Sequence, residues 1–181
     1  MIKSCPRGHS LGVTLIEMLA VIVVVATLLA LGTSSFKSVT NSNRVSAEIN
    51  GLLGDMQFAR GEAVKEGATV TICVSTDGAT CTGGSSWKGG WIVYADANGN
   101  QSVDAGENVL RVQKPLPGTD TLTANNSVTA FTFNRAGYAV GVVAGTLVTL
   151  HDVTSTSTWT RCLSVGMVGM MAVQTYGGAC T

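Results

Sequence analysis

The sequence predicts an α+β protein in which a long N-terminal helix packs on an antiparallel β-sheet or sandwich head. Apolar residues with helical spacing dominate the first third of the chain, whereas short runs rich in Val and Thr alternate with turns from Ala68 onward. Successive strand patterns without helices between them favour antiparallel pairing. A helix with one apolar stripe buries that stripe against such a sheet.

Residues 13–36 form the first half of the predicted helix, and their apolar character predicts a transmembrane segment. No residue from Met18 to Leu31 is charged. A helix over 13–36 would be about 36 Å long at ~1.5 Å per residue, enough for a bilayer core of ~30 Å. Residues 1–12 carry two basic residues and no acid, which favours a cytoplasmic N terminus and a head across the membrane.

The second half of the predicted helix is amphipathic and ends before Gly67, since glycine is typical of the position that follows a helix. Apolar residues there recur at spacings of three and four, which places them on one helical face. We therefore predict a helix over 13–66 and a β-rich globular head over 67–181. The stripe consists of Val45, Ile49, Leu52, Met56, Ala59 and Ala63.

Glu17 is an acid inside the apolar segment, where a charge costs about 2.5–3.5 kcal/mol at a helix centre. A cleaved secretory signal peptide and a simple single-pass anchor both account for the apolar residues. Neither explains the carboxylate. An acid in such a place requires a partner, because an unpaired charge is costly in a low dielectric.

The run Gly12-Val13-Thr14-Leu15-Ile16-Glu17, preceded by a short basic leader, resembles the prepilin motif. The resemblance implies that a prepilin peptidase removes residues 1–12 by cutting after Gly12 and that the new amino terminus of Val13 is methylated. Val13 departs from the phenylalanine usual in that family. The apolar helix then stays with the mature protein and packs in a filament core.

Cleavage would place a positive amine on Val13, one helical turn from Glu17. The Glu17 carboxylate can compensate its own amine or that of a neighbouring subunit. We therefore expect Glu17 to act in subunit assembly.

The head resembles minor pilins and minor pseudopilins of the FimU and GspH type. That resemblance implies a type IV pilin-like fold and a structural subunit in the bacterial inner membrane, with a periplasmic head, which later joins the pilus fibre at its tip. The implied partners are other minor pilins, the major pilin and the pilus assembly platform. The motifs are Ala63-Val64-Lys65, Val70-Thr71-Ile72-Cys73, Trp87, Gly89-Gly90-Trp91-Ile92-Val93-Tyr94-Ala95-Asp96 and Glu107-Asn108-Val109-Leu110-Arg111.

The expected function is that of a minor pilin that is built into a type IV pilus and helps to initiate or cap it. One alternative is a minor pseudopilin of the GspH type in a type II secretion system. Another is a FimT-like minor pilin that binds DNA in natural transformation, since FimT relatives carry a Gly-Arg-x-Arg type motif. Here Met170 and Met171 stand where arginines would be expected, and the head is nearly neutral, which argues against DNA.

Four cysteines remain after the leader is removed, an even number that suits disulfides in an oxidising compartment. Among three possible connectivities, local pairing of Cys73 with Cys81 and of Cys162 with Cys180 is favoured. Neither spacing is that of a zinc knuckle, so we expect no structural metal site.

The segment 96–107 places oxygen-bearing side chains at the spacing of a calcium loop, but Gln101 replaces the glycine of the sharp turn. The competing interpretation is a polar connection whose side chains bond their own backbone, and we expect no cofactor. His151 and Asp152 are adjacent, so they would point to opposite faces of a strand. No nucleophile elbow accompanies them, and we expect no enzymatic activity.

Overall fold

The computed structural model describes residues 12–178 and 180, without the side chains of residues 30–35. It contains one α-helix, nine β-strands and three short 3-10 turns within that part of the chain. The chain divides into two compact units, one up to Thr40 and one from Asn41 onward.

Helix α1 spans Leu15–Glu66. Thr14 precedes it, and the Thr14 carbonyl accepts hydrogen bonds from the amides of Glu17 and Met18, both at 3.1 Å. The helix ends at Gly67, whose φ of +64° is a left-handed conformation that glycine adopts without a steric penalty. In the part of the chain that the structure describes, no helix is both long enough and apolar enough to cross a membrane. The segment 13–36 predicted to span the membrane includes residues 30–35, whose side chains are not described.

The predicted stripe of α1 is buried along its whole length. Its six residues, from Val45 to Ala63, are at most 1% exposed and belong to one core that also contains residues of both sheets. At about 25 cal/mol per Å² of apolar surface removed from water, this packing offsets the low helix propensity of Gly51 and Gly54.

The first sheet has five antiparallel strands in the order β3-β2-β1-β5-β6. Its central strands β1 and β5 pair with Thr71 opposite Thr132 and Ile72 opposite Phe131. The Ile72 face contributes to the core around α1, and the opposite face carries Cys73 and neighbouring buried residues. The strands are β1 Val70–Val74, β2 Trp91–Ala95, β3 Val109–Gln113, β5 Ala130–Phe133 and β6 Ala139–Val140.

The second sheet has four antiparallel strands in the order β4-β7-β8-β9. Its inner residues, including Leu122, Leu150 and Leu163, join the same core as the stripe of α1. The α+β prediction, with a long helix packed on antiparallel sheets, is therefore confirmed. The strands are β4 Thr121–Ala124, β7 Leu147–His151, β8 Arg161–Val165 and β9 Met171–Thr175.

Candidate functional site

The N-terminal part of α1 exposes an unusual amount of apolar surface. We call residues Val13–Leu29 the apolar segment; its large apolar side chains are between 47% and 82% exposed. Burying one such side chain contributes about 1.5–3 kcal/mol. The segment can therefore gain a large free energy from an apolar environment or from other helices.

Glu17 lies in the first turn of α1, where it is exposed. Its amide also lies 3.3 Å from the Thr14 Oγ1, so Thr14 caps the helix with its side chain. An acid in this turn interacts favourably with the positive end of the helix dipole. The spacing Thr14-x-x-Glu17 matches that of a capping box, and the contact described here is the one made by the Thr14 side chain.

Gly12 and Val13, the residues of the expected cleavage site, precede α1 and have no regular secondary structure. The amine expected to pair with Glu17 does not exist before cleavage. The rest of the leader, residues 1–11, lies outside the described residues. Cleavage after Gly12 and the assembly role of Glu17 remain predictions.

The structure contains two disulfides. Cys73 is bonded to Cys81 with an S–S distance of 2.04 Å, and Cys162 is bonded to Cys180 with an S–S distance of 2.10 Å. This is the local pairing that the spacing favours among the three connectivities. The second bond attaches Cys180 to strand β8. The two cysteines and Leu147 of strand β7 form one buried cluster.

The segment 96–107, which resembles a calcium loop in sequence, folds back onto the first sheet. Buried Asp96 accepts hydrogen bonds at Oδ2 from the Thr71 hydroxyl, 2.6 Å away, and from the Gln101 amide at 3.1 Å. The Gln101 side chain donates to the Thr132 hydroxyl, which lies 2.7 Å from that of Thr71. Gln101 thus anchors the loop to strands β1 and β5.

The other acids of this loop also have partners within it. Asp104 Oδ2 accepts from the side-chain amides of Asn98 at 2.9 Å and Asn100 at 2.8 Å, and these bonds lower the pKa of Asp104. Glu107 accepts from the amides of Ala97 and Asp104, both at 3.0 Å. Within residues 12–178 and 180, no group of three or more acidic, His or Cys side chains is arranged to hold a metal ion.

The polar-connection interpretation therefore explains each carboxylate of the loop. Sequence reasoning identified the loop but did not identify Thr71 and Thr132, the strand residues that hold it. Their hydroxyls were indistinguishable from those of other strand threonines.

The side chains of His151 and Asp152 have different hydrogen-bond partners. His151 ends strand β7, where its Nδ1 is 3.0 Å from the Thr160 hydroxyl, and Asp152 accepts from the Thr154 hydroxyl at 2.6 Å. Met170, in the turn between β8 and β9, is 72% exposed. Five aromatic residues of the head are buried: Trp87, Trp91, Tyr94, Phe131 and Phe133.

Comparison with known proteins gives a family profile and two solved structures. The profile of type II transport protein GspH matches residues 48–169, more than half of the chain. A crystal structure of the type IV minor pilin FimU from Pseudomonas aeruginosa strain PAO1, in space group P21, aligns with a TM-score of 0.55 at 20% identity, over 77% of this chain and 92% of that chain. A second FimU crystal structure, in space group P65, aligns with a TM-score of 0.47 at 20% identity, over 72% and 90%.

No curated protein sequence matches the chain. The likeness to FimU in space group P21 extends over nearly all of that structure and shows a common fold. Together with the profile match over the second half of the helix and most of the head, it agrees with the family resemblance carried by the sequence motifs. The chain belongs to the GspH family and has the fold of a type IV minor pilin.

Proposed function

We propose that the protein is a minor pilin, a structural and non-enzymatic subunit that is built into a type IV pilus. The observation that carries this proposal is the exposed apolar segment Val13–Leu29, joined within α1 to a stripe that is fully buried in the head. Such surface is stable only when something covers it. A filament of packed subunit helices would do so.

The proposed sequence of events begins at the bacterial inner membrane. There the precursor is anchored by its apolar segment, with the head in the periplasm, and prepilin peptidase cleaves after Gly12 and methylates Val13. The pilus assembly platform then transfers the subunit into the fibre. In the fibre, helices of other minor pilins and of the major pilin cover the apolar segment.

Glu17 has a specific role in this proposal. It is the only acid in the apolar segment, and cleavage creates a positive amine on Val13 nearby in sequence. Pairing a carboxylate with that amine, within the subunit or between neighbours, removes an uncompensated charge from a low-dielectric filament core. The fold shared with the type IV minor pilin FimU supports the proposal of a minor pilin. The place that we propose for the subunit is the pilus tip, where it would help to initiate or cap the fibre.

The match to the GspH profile favours a second candidate, a minor pseudopilin of a type II secretion system. Both candidates use the same apolar segment and the same cleavage site. Deleting the gene distinguishes them, because loss of surface pili supports the first function and loss of protein secretion supports the second. Neighbouring genes for minor pilins or for secretion components give the same distinction.

The assembly role is tested by Glu17→Ala in the full chain. We expect the variant to be made and membrane-inserted at the normal level but to be reduced about tenfold or more in sheared fibres, because an unpaired amine enters the core. Immunoblots of membrane and sheared fractions give the measurement. Thr27→Ala is the matched control, since Thr27 lies in the same segment and its hydroxyl bonds only the Val24 carbonyl of its own helix among the described contacts. Normal recovery of Glu17→Ala in fibres would refute the pairing.

A further inference from the structure

Two carboxyl groups are buried together between α1 and the chain segment that leads into β4. Glu48, on α1, is 7% exposed, and Asp120, the residue before β4, is 1% exposed. Both carboxylate oxygens of Glu48 are fully buried and have no hydrogen-bond partner among the described residues. Natural proteins rarely bury an acid in this way without a compensating group.

One guanidinium lies beside this pair. Arg44, one helical turn before Glu48, has its Nη2 3.0 Å from Asp120 Oδ1, an ion pair whose angles do not meet hydrogen-bond geometry. The same nitrogen lies 3.3 Å from the Asn41 Oδ1. Arg44 therefore compensates Asp120, and Glu48 receives no direct partner of its own.

The third element packed here is the 3-10 turn Trp87–Gly89, which carries Lys88. Its backbone is fixed to the same segment, because the Lys88 carbonyl accepts a hydrogen bond from the Leu116 amide at 2.9 Å. The charge of Lys88 acts on Glu48 more weakly than those of Asp120 and Arg44. The charged groups that face Glu48 are thus Arg44 on its own helix, Asp120 and Lys88.

Electrostatics disfavours two ionised carboxylates in this cluster. Burial disfavours the charged form of an acid, and a neighbouring carboxylate disfavours it further. Both effects raise the pKa of Glu48, with desolvation the larger cause and Asp120 the next, against a smaller lowering by Arg44. Arg44 forms its ion pair with Asp120 and not with Glu48, so the raised pKa of Glu48 places the proton on that carboxyl group.

We propose that Glu48 and Asp120 form a buried proton-binding site, in which one proton is held between the two carboxyl groups and joins α1 to the segment entering β4. The protonated Glu48 donates a hydrogen bond to the Asp120 carboxylate, and Arg44 balances the remaining negative charge. The site lies in the folded head and is independent of the proposed role in pilus assembly. It makes the attachment of the second sheet to α1 sensitive to pH.

The direction of the pH dependence follows from the raised pKa. A carboxyl that holds its proton more tightly in the folded state stabilises the fold fully below its unfolded pKa, near 4.5. This contribution is lost as the pH rises from there through the folded-state pKa. Raising the pH through this window therefore weakens the junction by ionising Glu48 beside Asp120.

The test compares the full chain in detergent with its Glu48→Gln variant between pH 4.5 and pH 8.5. Glutamine donates the same hydrogen bond to Asp120 but cannot ionise, so we expect the variant's folding constant to exceed that of the wild type increasingly with pH, by up to about tenfold per pH unit within the titration window. Urea unfolding followed by fluorescence of the buried Trp87 and Trp91 gives the constants. Parallel pH profiles for the two proteins would overturn the proposal.

Glu66→Gln is the matched control, because Glu66 ends the same helix with a side chain that is 59% exposed. Its pH profile should follow the wild type. If Glu48→Gln does not fold, carboxyl ¹³C NMR titration of the wild-type chain provides the decisive measurement. A Glu48 midpoint at or below that of exposed glutamates overturns the site, and a midpoint well above them supports it.

A bound cation is the competing occupant of two buried carboxylates. Adding calcium or magnesium chloride at pH 7 distinguishes it from a proton. If the salt stabilises the wild type but not the Glu48→Gln variant, the site binds a metal ion and not a proton, and the proposal is overturned. An equal response of both proteins to the salt supports the proton site.

Discussion

Gly169 lies where the second sheet comes close to α1 and to the first sheet, and it has no side chain to prevent that approach. The Arg60 Nε on α1 donates to the Gly137 carbonyl at 2.8 Å, between strands β5 and β6. Gly169 lies in the turn between β8 and β9, and a Cβ there would overlap that carbonyl oxygen and contact the Arg60 side chain at 2.9 Å. The glycine is therefore required by close packing, which explains its presence independently of any DNA-binding motif.

Gly169→Ala should consequently lower the free energy of unfolding by about 2–4 kcal/mol, through a positive φ and overpacking together. Gly99→Ala is the control, because its φ of +70° is close to the +73° of Gly169 while a Cβ there meets open space. The control should lose only about 1–2 kcal/mol, the cost of the left-handed backbone. Urea unfolding of both full-length variants measures the difference, and equal losses would contradict the packing role of Gly169.

Sequence patterns predicted the elements that depend on local periodicity. The stripe of α1 and its end before Gly67 follow from spacing and from the properties of glycine. Strand β4 has only a weak local pattern, because its four residues contain just Leu122 and Ala124 as apolar positions, and it pairs with strand β7, which is distant in sequence. Residues that meet only in the folded chain give no local periodic pattern.

The same limit applies to the candidate sites. The Gly12 and Glu17 motif lies within a few consecutive residues, so the sequence identified it. The burial of Glu48 could not be foreseen, since Glu48 lies beside the apolar stripe and its neighbour Asp120 is brought to it by strand pairing.

The loop between β2 and β3 gives a prediction at the level of an element. Asp96, Asp104 and Glu107 already accept hydrogen bonds from the protein, and Asp96 is fully buried. Calcium would therefore compete with donors that these carboxylates already accept, such as the side-chain amides of Asn98 and Asn100 at Asp104 Oδ2. We expect that removing calcium with a chelator, and then adding millimolar calcium, leaves the melting temperature of the full chain unchanged.

Differential scanning fluorimetry in detergent provides this measurement. Asp104→Asn serves as a companion variant, because it removes the exposed carboxylate of the loop while retaining its shape. A melting temperature that rises with calcium in the wild type and not in Asp104→Asn would show that the loop binds the ion.

At the scale of the whole molecule, charge and exposed surface determine the partners of the head. The whole chain has a formal net charge of zero, and the head from Gly67 onward contains five basic and six acidic residues. Two of the basic side chains are engaged, Arg111 with Asp55 at 2.9 Å and Arg161 with the Thr158 and Thr160 carbonyls. The surface near the β8–β9 turn instead exposes Met167, Val168 and Met170. This distribution favours contacts with proteins over contacts with phosphates.

We therefore expect the full chain in detergent to bind duplex DNA only weakly, with a Kd above about 10 μM at physiological salt. A gel-shift titration measures this. The informative variant carries Met170→Arg and Met171→Arg, which introduces two cations into the exposed turn and the start of β9, since a phosphate contact requires a cation at the surface. Tighter binding by the variant that weakens as salt is raised would show that missing charge, and not an unsuitable fold, limits DNA binding. Micromolar or tighter binding by the wild type would instead place DNA among the partners of this head and contradict the prediction.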